Sequence, residues 1–232
     1  MKLAIMQPYF FPYIGYFQLI AAVDLFIVYD NIKYTKKGWI NRNRMLQNGK
    51  PVTFSLPLKG DSDFLDIQER ELAETFNRKK LLNQFSAAYR RAPYFAETFP
   101  LIEKIVLNKQ TNLFQYVHNS IVSTCKHLDI TTEIKASSGV AIDHSLKNQD
   151  KVIAFCEQVG AITYVNAIGG KDLYSVETFR EKGIGLKFIQ SKPFEYTQFG
   201  DAFVPWLSII DVLMLNPLQT IRACISNNYG LI

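Results

Sequence analysis

Short apolar runs and a helical segment alternate along the first thirty residues of the chain. Residues 3–7 form an apolar run that ends in a proline-rich turn, and residues 25–29 form a second run with the character of a strand. Residues 16–22, between the two runs, have the composition of a helix. A connection this short predicts a β-loop-α-β crossover unit in a parallel sheet. Its first loop would lie at the carboxyl edge, where α/β proteins bind ligands.

A different pattern begins at Arg42. Residues 42–46 and 51–58 are extended segments that flank Gln47-Asn48-Gly49-Lys50. An Asn-Gly pair between two such segments is a strong signal for a hairpin. We therefore expect an antiparallel hairpin that extends the sheet.

The middle of the chain has a helical pattern. Three helices are predicted, at about residues 72–90, 93–107 and 112–128. In the first of them the apolar positions recur at spacings of three and four, which is the stripe of a helix that faces a core. These positions are Leu81, Leu82, Phe85, Ala88 and Tyr89. The sequence thus predicts a helical insertion at about residues 69–129.

The last third of the chain returns to alternating strands and helices. Strands are predicted at residues 131–135, 162–166 and 185–190, and helices at 149–159, 176–182, 207–215 and 217–226. The whole chain of 232 residues then forms one α/β domain. Its mainly parallel sheet is flanked by helices and carries the hairpin and the helical insertion.

Composition supports a globular protein and argues against several other classes. With 48% hydrophobic and 20% charged residues the chain can bury a full core. No run approaches the roughly 18 apolar residues of a membrane span, and the amino-terminal residues lack the features of a secretory signal. We expect no membrane insertion and a cytoplasmic location. The cysteines are few and far apart, so neither a disulfide framework nor a metal site is predicted. They are Cys125, Cys156 and Cys224.

The net charge of +5 is too small for a dedicated nucleic-acid-binding protein but favours an anionic small molecule. Six basic residues fall within eighteen positions that hold no acidic residue. This run predicts either a positive local field at a site or a solvated loop. Its members are Lys33, Lys36, Lys37, Arg42, Arg44 and Lys50.

The loop after the first predicted strand, residues 7–17, combines aromatic residues with two prolines. Prolines fix the backbone, while Tyr9, Tyr13 and Tyr16 offer flat faces and hydroxyls suited to stacking on a sugar or a base. The alternative is that these aromatics are core under a loop. Gly15, just before the predicted helix, lets a backbone pass close to a ligand, and free helix amides can hold a phosphate.

A second polar segment follows the next predicted strand. Asp30 ends that strand, and strand-end carboxylates are favoured site residues in α/β folds. Further along, Trp39 offers a stacking surface, Asn41 and Asn43 offer amides, and Arg42 offers a guanidinium for phosphate or carboxylate. The alternative for Asp30 is to cap a turn, and for Trp39 to be core.

These two segments resemble the WbqC-like family of bacterial surface-polysaccharide proteins. The resemblance covers residues 6–18, then Asp30 with residues 37–43, and continues at residues 160–161, 164–166, 169–170, 173–174, 179, 183–184 and 207–214. It implies transfer of a glycyl or other acyl or aminoacyl group onto the amino group of an amino sugar. The partner would be a nucleotide-linked amino sugar, and the product an amide. The cofactor is left open between ATP, which would activate the carboxylate donor, and an acyl-CoA donor.

Such a transfer requires phosphate binding, oxyanion stabilisation and removal of a proton from the amine. Lys37, Arg42 and the amides after Gly15 are the candidates for phosphate. The candidates for donors to an oxyanion or to sugar hydroxyls are Gln7, Asn41, Asn43 and Asn166. Asp30 is the first candidate for the base and His144 the second.

Three further residues are assigned to the site. Gly169 and Gly170 follow a strand that should end at the same edge as Gln7 and Asp30, although a plain left-handed turn would also explain them. Asp211 stands in an otherwise apolar helical run, where it either holds Arg42 or Lys37 or faces solvent.

Two other functions remain open. The opening strand, loop, glycine and helix are also similar to nucleotidylyltransferases with a HIGH motif, and such a protein would adenylate its substrate. Here Tyr16 stands where the second histidine of that motif is expected, and no histidine precedes His118. The third function is a non-catalytic protein that binds a sugar nucleotide.

Overall fold

A computed structural model describes residues 1–60, 62, 64–200 and 202–232 of the chain. Its strands are β1 (Lys2–Met6), β2 (Leu25–Val28), β3 (Arg42–Gln47), β4 (Lys50–Ser55), β5 (Glu133–Ala136), β6 (Thr163–Ala167), β7 (Gly185–Ser191) and β8 (Tyr229–Leu231). Its α-helices are α1 (Ile14–Ala21), α2 (Arg78–Tyr89), α3 (Phe95–Val106), α4 (Leu113–His127), α5 (Asn148–Val159), α6 (Val176–Glu181), α7 (Ile209–Leu215) and α8 (Leu218–Asn227). Short 3₁₀ helices occupy Ile67–Glu69, Ser137–Gly139 and Ile168–Leu173.

Six strands form one mostly parallel sheet in the order β5-β2-β1-β6-β7-β8, in which only β8 is antiparallel to its neighbour. Numbered by their order in the chain, these strands run 3-2-1-4-5-6, which is the doubly wound arrangement. The order reverses between β1 and β6. The predicted mixed α/β fold with a mainly parallel sheet is confirmed.

Two apolar layers cover the sheet because successive side chains of a strand point to opposite faces. Ala4, Phe26 and Val28 belong to the core cluster that also contains α1, α7 and α8. On the other face, Leu3 and Ile5 belong to the cluster shared with α5 and α6. The connections that follow β1 and β6 therefore leave the sheet towards opposite faces.

The predicted hairpin is present as β3 and β4, and its turn places Asn48 and Gly49 at φ 51° and 71°. Positive φ at both positions is what a two-residue hairpin turn requires. The hairpin forms a separate two-stranded sheet and adds no strands to the main one. Its apolar residues belong to the core cluster that covers the α1 face of the main sheet, and the centre of the Phe54 ring lies 4.8 Å from that of Phe85 in α2.

The chain between β2 and β5 contains the hairpin and helices α2 to α4, as the predicted helical insertion requires. Helix α2 begins six residues later than predicted, because the Asn77 side chain caps Lys80 N and residues 73–76 before it form a turn. Leu72 N donates to Thr111 O, which fixes Leu72 beside the start of α4. Within the described ranges no helix is long and apolar enough to cross a membrane.

Candidate functional site

Loops from several strands meet at the carboxyl edge of the sheet, and the reversal of strand order lies between β1 and β6. In open α/β sheets a ligand binds in the crevice at such a point, because the adjoining loops diverge. Three side chains lie on the face of the sheet that α5 covers, because each is two positions beyond a core residue of that face. They are Gln7 after β1, Tyr29 after β2 and Asn166 in β6.

The loop after β6 holds Asn166 against Gly170. Asn166 is buried, and its Oδ1 accepts a hydrogen bond of 2.8 Å from Ala167 N. A Cβ on Gly170 would stand 2.6 Å from Asn166 Nδ2, whereas one on Gly169 would meet nothing within 4 Å. Neither glycine has a positive φ, so a left-handed turn does not explain them. Gly170 allows close approach of the Asn166 amide.

The tyrosine-rich loop after β1 is held in a strained shape. Phe11 has a φ of 44°, which is rare for an aromatic residue. Its carbonyl oxygen accepts from Asn43 Nδ2 at 2.8 Å and from Ser208 Oγ at 2.8 Å. Such strain persists only where surrounding contacts fix it, and it is concentrated at functional sites.

The three tyrosines of this loop have different surroundings. Tyr16 is buried, and its hydroxyl donates to Gln7 O at 2.9 Å, so it supports the loop. Tyr9 and Tyr13 are half-buried, and burial raises the pKa of both hydroxyls, which therefore stay protonated at neutral pH. A Cβ on Gly15 would stand 2.4 Å from the Tyr13 ring. Gly15 lies inside α1, where its lack of a side chain leaves room for that ring.

Asp30 lies at the centre of a polar network between the ends of β2 and β5. It is 3% exposed and accepts from Ser137 Oγ at 2.8 Å, from Ser138 N at 2.9 Å and from Ser138 Oγ. The carboxylate thus caps the 3₁₀ helix Ser137–Gly139, which agrees with the alternative that Asp30 caps a turn. Ser138 is an exposed residue, so this part of the network lies closest to the surface.

His144 is connected to Asp30 through Asn31. Asn31 Oδ1 lies 2.6 Å from Ser137 Oγ and shares its single hydroxyl hydrogen with the Asp30 carboxylate, and Asn31 Nδ2 lies 2.8 Å from His144 Nδ1. His144 Nε2 lies 3.0 Å from Val140 O, which can only accept, so Nε2 carries the ring hydrogen. Both ring nitrogens are therefore engaged, as are both carboxylate oxygens of Asp30, but one donor to Asp30 comes from the exposed residue Ser138.

Lys151 adds a cation to this edge that the sequence did not indicate. It lies in the first turn of α5 and is 7% exposed, with Nζ 3.0 Å from His144 O and 5.9 Å from the centre of the Tyr29 ring. Burial lowers its pKa, and the charges of Asp66, Asp143 and Asp30 oppose that shift. Two features of the sequence could have indicated this edge. They are the pair Ser137-Ser138 shortly after a predicted strand and Lys151 on the apolar face of a predicted helix.

The basic segment before β3 folds largely onto itself. Arg42 Nε donates to Gly38 O at 2.9 Å and its Nη2 to Lys37 O, so this guanidinium stabilises its own turn. Asn41 donates to Leu56 O at 2.7 Å and accepts from Tyr34 at 2.8 Å. The side chains of Lys37 and Trp39 are exposed and remain accessible to a ligand.

This segment reaches the tyrosine-rich loop through an arginine that the site prediction omitted. Arg44 lies 5.5 Å from the Trp39 ring, and its Nη2 donates to Trp206 O at 3.1 Å. The Trp206 ring in turn lies 5.7 Å from Tyr13. The structure therefore brings Trp39 and Tyr13 to one continuous surface.

Two predicted site residues have their polar atoms fully engaged inside the protein. Asn43 donates both amide hydrogens, to Phe10 O at 3.2 Å and Phe11 O at 2.8 Å, which leaves no donor for an oxyanion. Asp211 is 0% exposed. It accepts from Tyr89 at 2.8 Å, Tyr196 at 2.6 Å and Gln198 at 2.9 Å.

The suggestion that Asp211 holds Arg42 or Lys37 is wrong, because its partners are two tyrosines and a glutamine of the buried interior. The alternative that Asp211 faces solvent is also wrong, because the residue is fully buried. Burial raises the pKa of Asp211 in spite of the three donors.

The larger cavities lie away from this edge. One of about 620 Å³ is lined by α4, residues 129–132 and the start of β5, and one of about 500 Å³ is lined by residues 104–110 at the end of α3. A third, of about 350 Å³, lies between residues 128–132 and α8. These three cavities contain none of the predicted site residues. Among the residues with described positions, no group of three His, Cys, Asp or Glu side chains is arranged for a metal ion.

Comparison with known proteins assigns the chain to a family. The model of the WbqC-like protein family matches residues 7–223. Uncharacterized protein Rv1507c of Mycobacterium tuberculosis is 30% identical over 217 residues, which cover 91% of this chain and 92% of that protein. No solved structure matches. Because the family match spans nearly the whole chain, this protein belongs to the WbqC-like protein family.

Proposed function

We propose that this protein is a transferase of surface-polysaccharide biosynthesis. It attaches a glycyl or another acyl or aminoacyl group to the amino group of a nucleotide-linked amino sugar. The observation that carries the proposal is the reversal of strand order between β1 and β6, with Gln7 and Asn166 on its two sides. Doubly wound sheets bind nucleotides at this position. The strand order supports only the place where the nucleotide binds. The proposed reaction rests on the side chains at that place.

The nucleotide moiety is placed in the crevice between the loops that follow β1 and β6. Tyr9 and Tyr13 present half-buried rings for stacking on the base or the sugar. Lys151 supplies positive charge for the diphosphate from the α5 side, and a lysine binds phosphate as a point charge. Lys37 and Trp39 are the accessible members of the basic segment and extend the site beyond Tyr13.

Free amide donors distinguish Gln7 and Asn166 from the other candidates. Within the described part of the chain, neither the Gln7 amide nor Asn166 Nδ2 donates a hydrogen bond, whereas Asn43 donates both of its hydrogens. A preformed donor aimed at a developing oxyanion lowers the barrier to acyl transfer. We assign Gln7 and Asn166 to the oxyanion or the sugar hydroxyls, and Asn43 to the support of the loop.

Asp30 is assigned to the substrate amine. In the proposed step the amine nitrogen attacks the acyl carbon, a C–N bond forms, and the carbonyl oxygen becomes an oxyanion. The amine proton passes to the Asp30 carboxylate, the oxyanion re-forms the carbonyl, and the bond from the acyl carbon to its leaving group breaks to give the amide. The leaving group departs with the bonding electron pair, as CoA thiolate from an acyl-CoA or as AMP from an acyl group activated with ATP. The exposed Ser138 hydroxyl is the hydrogen-bond donor that the amine would replace.

The test combines the protein with nucleotide-linked amino sugars and either glycine plus ATP or an acyl-CoA, followed by mass spectrometry of the sugar nucleotide. The proposal predicts a mass gain equal to one glycyl or acyl group. Release of AMP or pyrophosphate without such a product would support adenylation instead. Saturable binding with no chemical change would support a non-catalytic sugar-nucleotide-binding protein.

Two variants test whether Asp30 accepts the amine proton. Asp30→Asn keeps the shape of the buried side chain but cannot take the proton, so product formation should fall at least about a hundredfold. Asp143→Asn is the matched control, because Asp143 also accepts from a serine hydroxyl and a serine amide but lies exposed outside the crevice. Equal loss in both variants, or full activity of Asp30→Asn, would contradict the assignment.

A further inference from the structure

Arg70 is a buried arginine whose guanidinium lacks the partners that such a group normally has. The residue is 2% exposed, and its Nε and Nη2 are buried without a hydrogen-bond partner among the described residues. No ion pair of Arg70 with a described residue is present, and its guanidinium carbon lies 4.3 Å from the centre of the Tyr34 ring. A guanidinium stays charged in proteins, so burial cannot be relieved by loss of a proton.

Backbone hydrogen bonds fix the main chain at Arg70. Arg70 O accepts from Leu113 N at 2.8 Å at the start of α4, and Arg70 N donates to Ile67 O. Ile67 and Leu72, on either side of it, are buried in the apolar core. The guanidinium lies under the Tyr34 ring, and none of the described acidic residues forms an ion pair with it.

The segment above Arg70 leads to the predicted site. Tyr34 donates to Asn41 Oδ1 at 2.8 Å, and the chain between them carries the exposed Lys37 and Trp39. Tyr34 is only half-buried, so its ring marks the side from which a ligand approaches. A buried charge is ordinarily compensated by an opposite charge, and a guanidinium fits the paired oxygens of a phosphate or carboxylate.

We propose that Arg70 is the receptor for an oxyanion, a phosphate or a carboxylate, of a ligand that binds beneath residues 34–41. The ligand moves the Tyr34 ring aside and forms charge-assisted hydrogen bonds with Nε and Nη2. Arg70 is a binding residue in this proposal, which does not depend on the transfer reaction.

The test is thermal unfolding of the whole protein at constant ionic strength, in chloride and then with phosphate, pyrophosphate, acetate or glycine. At least one oxyanion should raise the Tm of the wild type. Arg70→Met should lose that response and should be no less stable than the wild type in chloride, because it removes an uncompensated buried charge. A response to the phosphates alone identifies a phosphate site, and a response to the carboxylates alone identifies a carboxylate site.

Arg78→Met is the matched control. Arg78 also lies over an aromatic ring, at 5.0 Å from Phe76, but it donates to Asn108 O at 2.8 Å and Gln110 O at 2.7 Å. This variant should lose stability in chloride and keep the oxyanion response. If Arg70→Met behaves in the same way, or if no oxyanion stabilises the wild type, the proposal is overturned.

Two additional variants keep the test decisive. Arg70→Lys retains the charge but not the paired donors, so it should bind the oxyanion about tenfold more weakly, and equal affinity would contradict the proposal even if Arg70→Met does not fold. Repeating the comparison in a Lys151→Met background removes the cation of the proposed nucleotide crevice. If an oxyanion still raises the Tm in that background, and Arg70→Met abolishes the rise, the oxyanion binds at Arg70. This result would hold even if the proposed transfer function is wrong.

Discussion

Replacing Asn43 with alanine separates a supporting role from a catalytic one. Asn43 joins β3 to the tyrosine-rich loop through Phe10 O and Phe11 O, and its Oδ1 accepts from Arg44 N at 2.9 Å. A side chain kept free for a substrate would contribute little to stability. In the structure its polar atoms are all used by the protein, so Asn43→Ala should destabilise the fold.

The size of the effect follows from the groups left behind. Phe11 O keeps the Ser208 hydroxyl as a donor, but Asn43 is the only side chain that donates to Phe10 O among the described residues. Loss of these bonds, with one buried carbonyl left unpaired, should lower the free energy of unfolding by about 2–4 kcal/mol. For a chain of this length that corresponds to a fall in Tm of about 5–15 °C.

Urea unfolding followed by fluorescence measures this loss, with Asn227→Ala on the exposed end of α8 as the control. Ser208→Ala removes the second donor to Phe11 O, so the double variant should lose more than the sum of the single variants, by about 0.5–3 kcal/mol. The supporting role would be refuted if the free energy of unfolding of Asn43→Ala is within about 0.5 kcal/mol of the wild-type value and the losses of the two single variants simply add in the double variant.

Three further predictions concern single side chains. Gly170→Ala should push the Asn166 amide aside and weaken sugar-nucleotide binding about tenfold in calorimetry, while Gly169→Ala, with open space around it, should bind normally. Burial raises the pKa of Asp211 above 3.8, so the folded state holds its proton more tightly than the unfolded state and loses stability as pH rises through the raised value. Asp211→Asn cannot ionise, and urea unfolding should show its stability relative to the wild type increasing over that pH range. Burial lowers the pKa of Lys151 below 10.5, so sugar-nucleotide affinity should fall as pH approaches 10.5, and Lys151→Met should remove both the affinity and its pH dependence.

Local patterns predicted most elements because their signals are local. The Asn48-Gly49 pair fixes the hairpin turn, and apolar runs of four or five residues mark β1 and β2. The sequence did not predict β8, because its three residues become a strand only by pairing with β7. The separate packing of the hairpin also depends on distant residues, since Phe54 meets Phe85 only once α2 is in place.

The site was harder to predict because a residue type does not reveal which atoms the protein itself uses. Asn43 and Asn166 have the same side chain, yet the first donates both of its amide hydrogens to the tyrosine-rich loop and the second keeps its amide beside Gly170. Asp211 had the right chemistry but is surrounded by tyrosines. Conversely, Lys151 and Arg70 lie in segments whose sequence pattern indicates only a helix and a loop.

A sugar nucleotide should bind where the strand order reverses. A crystal structure of the protein with a nucleotide-linked amino sugar such as UDP-glucosamine would decide this. We expect density between the loops after β1 and β6, in contact with Gln7, Asn166 and Lys151. Density in the 620 Å³ cavity beside the start of β5, or an empty crevice at a concentration that saturates binding in solution, would contradict it.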